Sequence, residues 1–249
     1  NKVEVIWASE RMNKLEYWDR VLKIAKETTL NRSIRATTIM GRKEKELQST
    51  AQLFYPSMQV SDIFELEVNI CQLGLDQRRA NILGREIADK LNWRKPVVVS
   101  HHMILGLQGI QPGADKEEII LASKMSKSKP ETCIYMHDTE EDIKKKIAKA
   151  FCPEKIIEGN PLFDYLKYLI CKKYPKINIE RPDKFGGNIE LSYSELEQQY
   201  LSGEIHPLDL KNTVIFYLND LIQPIRKYFE TNKKAKELYE EVKKYSVTR

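Results

Sequence analysis

The chain has 249 residues, of which 41% are hydrophobic and 31% charged, and it contains ten glycines and ten prolines. That composition is typical of a helix-rich globular protein of one large or two ordinary domains, and it excludes a disordered or fibrous chain. The formal net charge of +5 is compatible with a polyanionic partner; without an apolar run of membrane-spanning length or a secretory pattern, we expect a cytoplasmic protein with no membrane partner.

The first part of the chain alternates predicted strands and helices. Short apolar runs bounded by glycine or proline predict strands, and apolar residues at helical spacing predict helices. Proline biases the residue before it away from helix, so Tyr55-Pro56 predicts a turn or a helix start. In chain order we predict a strand at 3–8, helices at 11–28 and 32–48, a strand at 68–73, a helix at 76–91 and a strand at 97–100. Strand, helix and strand in that order indicate a parallel α/β arrangement.

Beyond residue 138 the pattern becomes helix after helix. Residues 108–128, just before, are polar without periodicity and predict a mobile loop. Three of the later helices begin at capping residues. These are Thr139 with Asp142, Asn160 before Pro161, and His206 before Pro207, the last of which opens the longest predicted helix. We therefore divide the chain into an α/β domain, 1–145, and a helical domain, 146–249.

Three polar side chains fall at positions i, i+4 and i+7 of one predicted helix, namely Tyr55, Gln59 and Asp62. On a helix these positions project from the same face, so a phenol, an amide and a carboxylate converge on one ligand. Gln77 follows after the next predicted strand. Taken singly, each of these residues is more simply explained as part of a polar helix face or as a cap.

The polar loop contains the run Lys124-Met125-Ser126-Lys127-Ser128. Two lysines among serines usually form a solvated surface loop, but this order also matches the K-M-S-K-S signature of class I aminoacyl-tRNA synthetases. The chemistry suits that match, because amino-acid activation by ATP expels pyrophosphate. Two ammonium groups and hydroxyl donors on a closing loop stabilise the negative charge that builds up on this leaving group.

Together these motifs resemble, in order and spacing, those of tyrosyl-tRNA synthetases of the archaeal and eukaryotic type. The resemblance implies an α/β fold, in which the C-terminal part of a class I Rossmann-like catalytic domain precedes an all-helical anticodon-binding domain. It also implies a tyrosine–tRNA ligase that uses ATP, with Mg²⁺ accompanying the ATP, and that charges tRNA(Tyr) as a homodimer. Residues 11–50 correspond to the dimer region of that family, and residues 108–128 to its signature loop.

The resemblance assigns roles to individual residues in the catalytic domain. Asp62 is expected to accept the phenolic hydroxyl of the substrate, and Tyr55, Gln59 and Gln77 are expected to hold its α-amino group. The residues assigned to ATP are Gly74, Asp76, His101, His102, Met103, Ile104, Lys124 and Lys127. The residues assigned to catalysis are Lys124, Ser126, Lys127 and Ser128.

Four residues are assigned to tRNA. Phe185, within Lys184-Phe185-Gly186-Gly187, is expected to stack on the first anticodon base, and Asp209 to hydrogen-bond its edge. Arg35 and Arg78 align with acceptor-stem contacts of the family. A purely structural role stays open for these residues, since arginines are often ordinary surface charges and an aspartate just after Pro207 also favours a helix N-terminus.

The cysteines and histidines give no metal pattern. Cys71, Cys133, Cys152 and Cys171 lack a C-x-x-C spacing, and His101-His102 has no cluster of further ligands beside it. We therefore expect reduced cysteines and no protein-bound metal.

The chain departs from the family in two places. The first nucleotide-binding segment, with an H-I-G-H-like motif, is missing, so we expect it elsewhere in a longer protein or in a second polypeptide. An insertion at 111–123 lengthens the signature loop. Two other functions stay open. A tryptophanyl-tRNA synthetase is disfavoured because Asp62 calls for a hydroxyl, and a non-catalytic tRNA-binding or scaffold protein is disfavoured by the intact signature run.

Overall fold

The computed structural model describes residues 3–41, 47–111, 113, 125 and 129–245. The chain divides into two compact units, Asn1–Met103 and Ile104–Arg249. The described residues between 104 and 145 therefore belong to the second unit, although the predicted catalytic domain extends to residue 145. The functional division near residue 145 stays a prediction.

The first unit combines helices with a small parallel sheet. Its elements are α1 (Ala8–Met12), α2 (Leu15–Lys26), α3 (Leu30–Ala36), a 3-10 turn (Thr37–Met40), α4 (Ala51–Glu65), β1 (Ile70–Gly74), a 3-10 turn (Leu75–Gln77), α5 (Arg78–Leu91) and β2 (Val97–His101). The strands run parallel, with Ile70 beside Val97 and Gly74 beside His101, as the strand–helix–strand pattern predicted. The core between α2, α4 and α5 is formed by Ile24, Val60, Leu83 and Ile87.

Three predictions for the first unit are wrong or incomplete. Residues 3–7 form no strand, and Val3 and Val5 are 80% and 76% exposed, because no described strand pairs with them and an unpaired strand lacks ladder hydrogen bonds. The helix predicted at 32–48 ends early, at Gly41, whose φ of 73° is left-handed. Pro56 lies in the second turn of α4, which begins at Ala51, so it neither starts the helix nor forms a turn, and its missing N–H removes one interior helical hydrogen bond.

The second unit is mainly helical. Its elements are a 3-10 turn (Pro130–Thr132), α6 (Glu140–Lys149), α7 (Pro161–Tyr165), a π-helical stretch (Leu166–Ile170), α8 (Cys171–Lys173), β3 (Lys176–Ile179), a 3-10 turn (Asp183–Phe185), β4 (Ile189–Ser192), α9 (Tyr193–Ser202), α10 (Pro207–Thr231) and α11 (Lys233–Val242). The three predicted capping residues are confirmed, since Thr139, Asn160 and His206 each accept a backbone hydrogen bond at a helix start. None of the described helices is long and apolar enough to span a membrane.

The second unit is not all-helical as predicted, because β3 and β4 form an antiparallel hairpin. The run Lys176–Ile179 alternates polar and apolar residues, which is the period of a half-buried strand. Ile177 and Ile179 are fully buried, and the backbone N–H of Asn178 donates to the hydroxyl of Tyr217 on α10 at 2.9 Å. This four-residue alternation was too short to distinguish from helix in the sequence.

Candidate functional site

The three predicted tyrosine-binding residues of α4 share one face of that helix. The opposite face is buried and carries Pro56, Ser57, Val60, Ser61 and Ile63. On the outer face, Tyr55 is 45% exposed, Gln59 is half-buried and Asp62 is exposed. The structure therefore brings a phenol, an amide and a carboxylate to one accessible surface. Their binding of tyrosine stays a prediction.

Five of the residues predicted to contact ATP cluster where the two parallel strands end. Gly74 and His101 are paired at the last positions of β1 and β2, and Asp76, His102 and Met103 follow those strands directly. Ligands of open parallel sheets bind beyond the carboxyl ends of the strands. Position 74 also favours glycine for a local steric reason, because a Cβ there would lie 2.6 Å from both Asp76 Oδ1 and Met103 Sδ.

Gln77 links the two predicted ligand sites. Its side-chain amide donates to Asp76 Oδ2 at 2.9 Å and to the carbonyl oxygen of Ile39 at 3.1 Å. One residue predicted for tyrosine is thereby hydrogen-bonded to one predicted for ATP. Such mutual contacts hold polar side chains in fixed orientations, which a binding site needs.

The carboxylate of Asp62 accepts a hydrogen bond that no local sequence pattern predicts. The hydroxyl of Tyr17, on α2, donates to Asp62 Oδ1 at 2.9 Å. Partial burial raises the pKa of Asp62 above its usual range, the Tyr17 hydrogen bond lowers it, and the nearby negative charge of Glu65 raises it. No sequence signal pointed to Tyr17, because the two residues are 45 positions apart and contact only in the folded chain.

Several predicted residues are not part of this cluster in the described structure. Ile104 packs, partly buried, against the core of the second unit, as does Met125. Lys124, Ser126, Lys127 and Ser128 lie outside the described residues, so their catalytic role stays a prediction. Within the described part of the chain, no three His, Cys, Asp or Glu residues form a group that could hold a metal ion.

The predicted acceptor-stem arginines lie on the surface of the first unit. Arg35 and Arg78 are both exposed. Arg35 also lines a cavity of about 320 Å³ together with Arg32 and Arg79, two residues that the sequence analysis missed. Arg79 is held in place, since its guanidinium donates to the backbone oxygen of Arg35 at 2.7 Å. Arg78 is not among the residues that line this cavity.

The two segments that carry the predicted anticodon residues are connected by hydrogen bonds from Arg181. Phe185 is 61% exposed on the turn between β3 and β4, with the ammonium group of Lys184 4.9 Å from its ring centroid. Arg181 fastens that turn by donating to the backbone oxygen of Gly187 at 3.1 Å. The same guanidinium donates to the backbone oxygen of Glu204 at 3.1 Å, just before the helix that carries Asp209. An exposed aromatic ring can stack on an unpaired base, and a carboxylate can read its edge; these roles of Phe185 and Asp209 stay predictions.

The family of tRNA synthetases class I (W and Y) matches residues 1–223 of the chain. Tyrosine–tRNA ligase 1, cytoplasmic, of Arabidopsis thaliana is 43% identical over 253 residues, which are all of this chain and 63% of that protein. The tyrosine–tRNA ligase of Pyrococcus furiosus is 43% identical over 257 residues, covering 97% of this chain and 68% of the relative.

A solved structure gives the same relationship in three dimensions. The tyrosyl-tRNA synthetase of Pyrococcus horikoshii, crystallised with L-tyrosine, has a TM-score of 0.85 to this chain at 42% identity, over 96% of this chain and 69% of that one. The chain thus spans 63% of the length of the Arabidopsis relative and slightly more than two thirds of the two archaeal ones.

Proposed function

The chain belongs to the family of class I tRNA synthetases (W and Y), and we propose that it acts, as part of a longer protein, as a tyrosine–tRNA ligase. The enzyme activates tyrosine with ATP, which forms tyrosyl-adenylate and releases pyrophosphate, and then transfers tyrosine to tRNA(Tyr). Mg²⁺ accompanies the ATP. Two relatives that this chain matches over 100% and 97% of its own length are named as tyrosine–tRNA ligases, which supports this assignment.

The observation that carries the proposal is the carboxylate of Asp62 on the open face of α4. A carboxylate accepts the hydroxyl of tyrosine, whereas the indole of tryptophan offers a single N–H at a different distance from the backbone. Tyr55 and Gln59 lie two turns and one turn before it on the same face and hold the α-amino group of the amino acid. The tryptophan alternative therefore fits the site less well.

The ATP side is proposed at the carboxyl ends of β1 and β2. Asp76 accepts a hydrogen bond from the ribose, and the backbone at Gly74 approaches the nucleotide closely because no side chain intervenes. Lys124 and Lys127 are proposed to stabilise the leaving pyrophosphate. The segment with the H-I-G-H-like motif is proposed to cover the sheet face that bears Ile70, Val97 and Val99, which are 64%, 57% and 45% exposed.

We also propose a cytoplasmic homodimer that joins through residues 11–50. The outer side of α2 supports this, because it carries Leu15, Trp18 and Leu22, which are 81%, 39% and 58% exposed. Their spacing of three and four residues places them in one stripe, opposite the buried Tyr17, Val21 and Ile24. Exposed apolar stripes of this kind mark interaction surfaces.

The test is amino-acid-dependent ATP–pyrophosphate exchange by the full-length protein, followed by aminoacylation of tRNA(Tyr). We expect exchange with tyrosine and almost none with phenylalanine or tryptophan. Exchange driven by tryptophan would favour the tryptophanyl alternative. A protein that bound tRNA(Tyr) without exchange with any amino acid would instead be a non-catalytic tRNA-binding protein.

Phe185→Ala is expected to weaken aminoacylation of tRNA(Tyr) roughly ten- to a hundredfold in kcat/KM. Loss of a stacking aromatic costs about 1–3 kcal/mol per base. ATP–pyrophosphate exchange, which needs no tRNA, should be unchanged. Phe216→Ala is the matched control, since Phe216 is 66% exposed on the same unit but is not assigned to tRNA. Equal losses in both variants would contradict the stacking role.

Asp209→Ala is expected to reduce discrimination at the first anticodon base. Edge contacts set base identity and stacking does not, so charging of tRNA(Tyr) should fall while charging of a tRNA with a substituted first anticodon base is retained. The measurement compares kcat/KM for the two tRNAs in wild type and variant. Equal charging of both tRNAs by the wild type would leave this segment with a structural role only.

A further inference from the structure

Tyr17 is a buried tyrosine whose hydroxyl points at the candidate tyrosine site. It lies on α2 and is 1% exposed. Its hydroxyl is 2.9 Å from Asp62 Oδ1 and 3.3 Å from the backbone oxygen of Met58, one turn earlier on α4. The hydroxyl has a single proton, and the shorter distance to a charged acceptor assigns that proton to Asp62.

The contact makes the two oxygens of the Asp62 carboxylate unequal. Oδ1 is held by Tyr17, whereas Oδ2 has no hydrogen-bond partner among the described residues. A carboxylate has lone pairs to spare on each oxygen, and Asp62 is exposed on the outer face of α4. One oxygen is therefore fixed from the protein side while the other stays open to an incoming donor.

The other charged side chains near Asp62 are paired with each other. Glu65, one turn later on α4, is paired with Arg20 of α2 and with Arg11 of α1, the latter at 3.4 Å. On the neighbouring α3 and α5, Arg32 and Glu86 pair with each other, and the core between α4 and α5 is apolar. Glu65 is the unfavourable neighbour for an ionised Asp62, and its two arginines offset its charge.

Tyr17 is a permanent donor in this setting. Burial raises the pKa of its hydroxyl above the usual range, and the hydrogen bond to Asp62 raises it further. The proton therefore stays on Tyr17 at neutral pH, and the bond favours the ionised form of Asp62.

We propose that Tyr17 is a positioning residue for amino-acid selection, which holds Asp62 Oδ1 so that Oδ2 is presented to the phenolic hydroxyl of the substrate. The inference rests on the proposed tyrosine–tRNA ligase function and adds to it a residue that does not itself touch tyrosine. Ligand-binding groups held by such a supporting hydrogen bond keep their orientation, and loss of the support costs affinity and specificity.

The experiment compares Tyr17→Phe with wild type in the full-length enzyme by ATP–pyrophosphate exchange. We expect KM for tyrosine to rise about tenfold with little change in kcat, as for loss of one charge-assisted hydrogen bond. Exchange with phenylalanine at high concentration should keep its wild-type kcat/KM, so tyrosine-over-phenylalanine discrimination falls by the same factor. Retained phenylalanine activity also shows that the variant is folded.

The pH profile separates positioning from a structural effect. Tyrosine binding needs ionised Asp62, so kcat/KM for tyrosine falls as the pH drops through the pKa of Asp62. Without the Tyr17 donor that pKa is higher, and the acid limb of the profile moves to higher pH. Phenylalanine lacks the hydroxyl and gains nothing from ionised Asp62, so its kcat/KM should not fall as Asp62 is protonated, in wild type or variant.

Tyr200→Phe is the matched control. Tyr200 is fully buried in the second unit, and its hydroxyl donates to the backbone oxygen of Pro153 at 2.8 Å. The control should lose stability without changing KM for tyrosine or the acid limb. Wild-type values of both in Tyr17→Phe would overturn the inference, as would a parallel loss of phenylalanine exchange. A wild-type enzyme without tyrosine-dependent exchange would instead overturn the proposed function.

Discussion

Asp62→Ala in the full-length enzyme is expected to abolish tyrosine-dependent ATP–pyrophosphate exchange. The change removes the acceptor proposed for the substrate hydroxyl itself, whereas Tyr17→Phe removes only a hydrogen bond that supports this acceptor. The hydroxyl of Tyr17 keeps the backbone oxygen of Met58 as an acceptor at 3.3 Å. The expected loss is therefore that of the substrate contact, and it exceeds the effect of Tyr17→Phe.

The control for this variant is Asp89→Ala. Asp89 lies on α5 in the same unit, and its side chain is 63% exposed in a surface pair with Lys95, which contributes little to stability. This variant should keep wild-type exchange. Exchange with tyrosine near the wild-type rate in Asp62→Ala would show that the site was assigned to the wrong face of α4.

Asp62 also sets the expected discrimination against phenylalanine. A site built to hydrogen-bond a substrate hydroxyl rejects the analogue without it by about 10⁴–10⁵, a magnitude taken from tyrosyl-tRNA synthetases themselves. Phenylalanine would leave Asp62 Oδ2 desolvated and unpaired. In Asp62→Ala this penalty disappears, so the two amino acids should become similarly poor substrates.

The parts of the site that the sequence could predict depend on local spacing. Tyr55, Gln59 and Asp62 share a face because a helix has a fixed period, and the apolar residues between them are buried as that period requires. The parallel pairing of β1 with β2 follows from the strand–helix–strand order. The capping residues at Thr139 and Asn160 are chemical signals within a few positions of each helix start.

The parts that the sequence could not predict depend on contacts between distant segments. Tyr17 contacts Asp62 across 45 positions, and Arg181 reaches Glu204 across 23, and neither pair has a sequence pattern. The apolar run at 3–8 has the composition of a buried strand, yet Trp7 is 67% exposed, because burial depends on a partner and not on composition alone. Local sequence therefore predicts which residues share a helix face and which cap a helix, while tertiary packing determines which distant polar groups form hydrogen bonds.

Lys124→Ala combined with Lys127→Ala is expected to lower the rate of tyrosyl-adenylate formation at least about a hundredfold. The two ammonium groups are assigned to negative charge that grows on the leaving pyrophosphate, and one such contact is typically worth about 10²–10³ in kcat. Because that charge appears only as the bond to the leaving group breaks, tyrosine affinity should change little. Both residues lie outside the described part of the chain, so the prediction rests on the signature run alone.

Lys145→Ala combined with Lys149→Ala is the matched control for that double variant, because it also removes two positive charges from the formal +5 of the chain. Both control lysines are on the exposed side of α6, and neither is assigned to ATP. Single-turnover adenylate formation and equilibrium tyrosine binding, measured on both double variants, separate a catalytic role from an effect of net charge. A similar slowing in the control would point to net charge attracting ATP. Loss of tyrosine affinity with an unchanged rate in Lys124→Ala, Lys127→Ala would place these lysines in ground-state binding and remove them from catalysis.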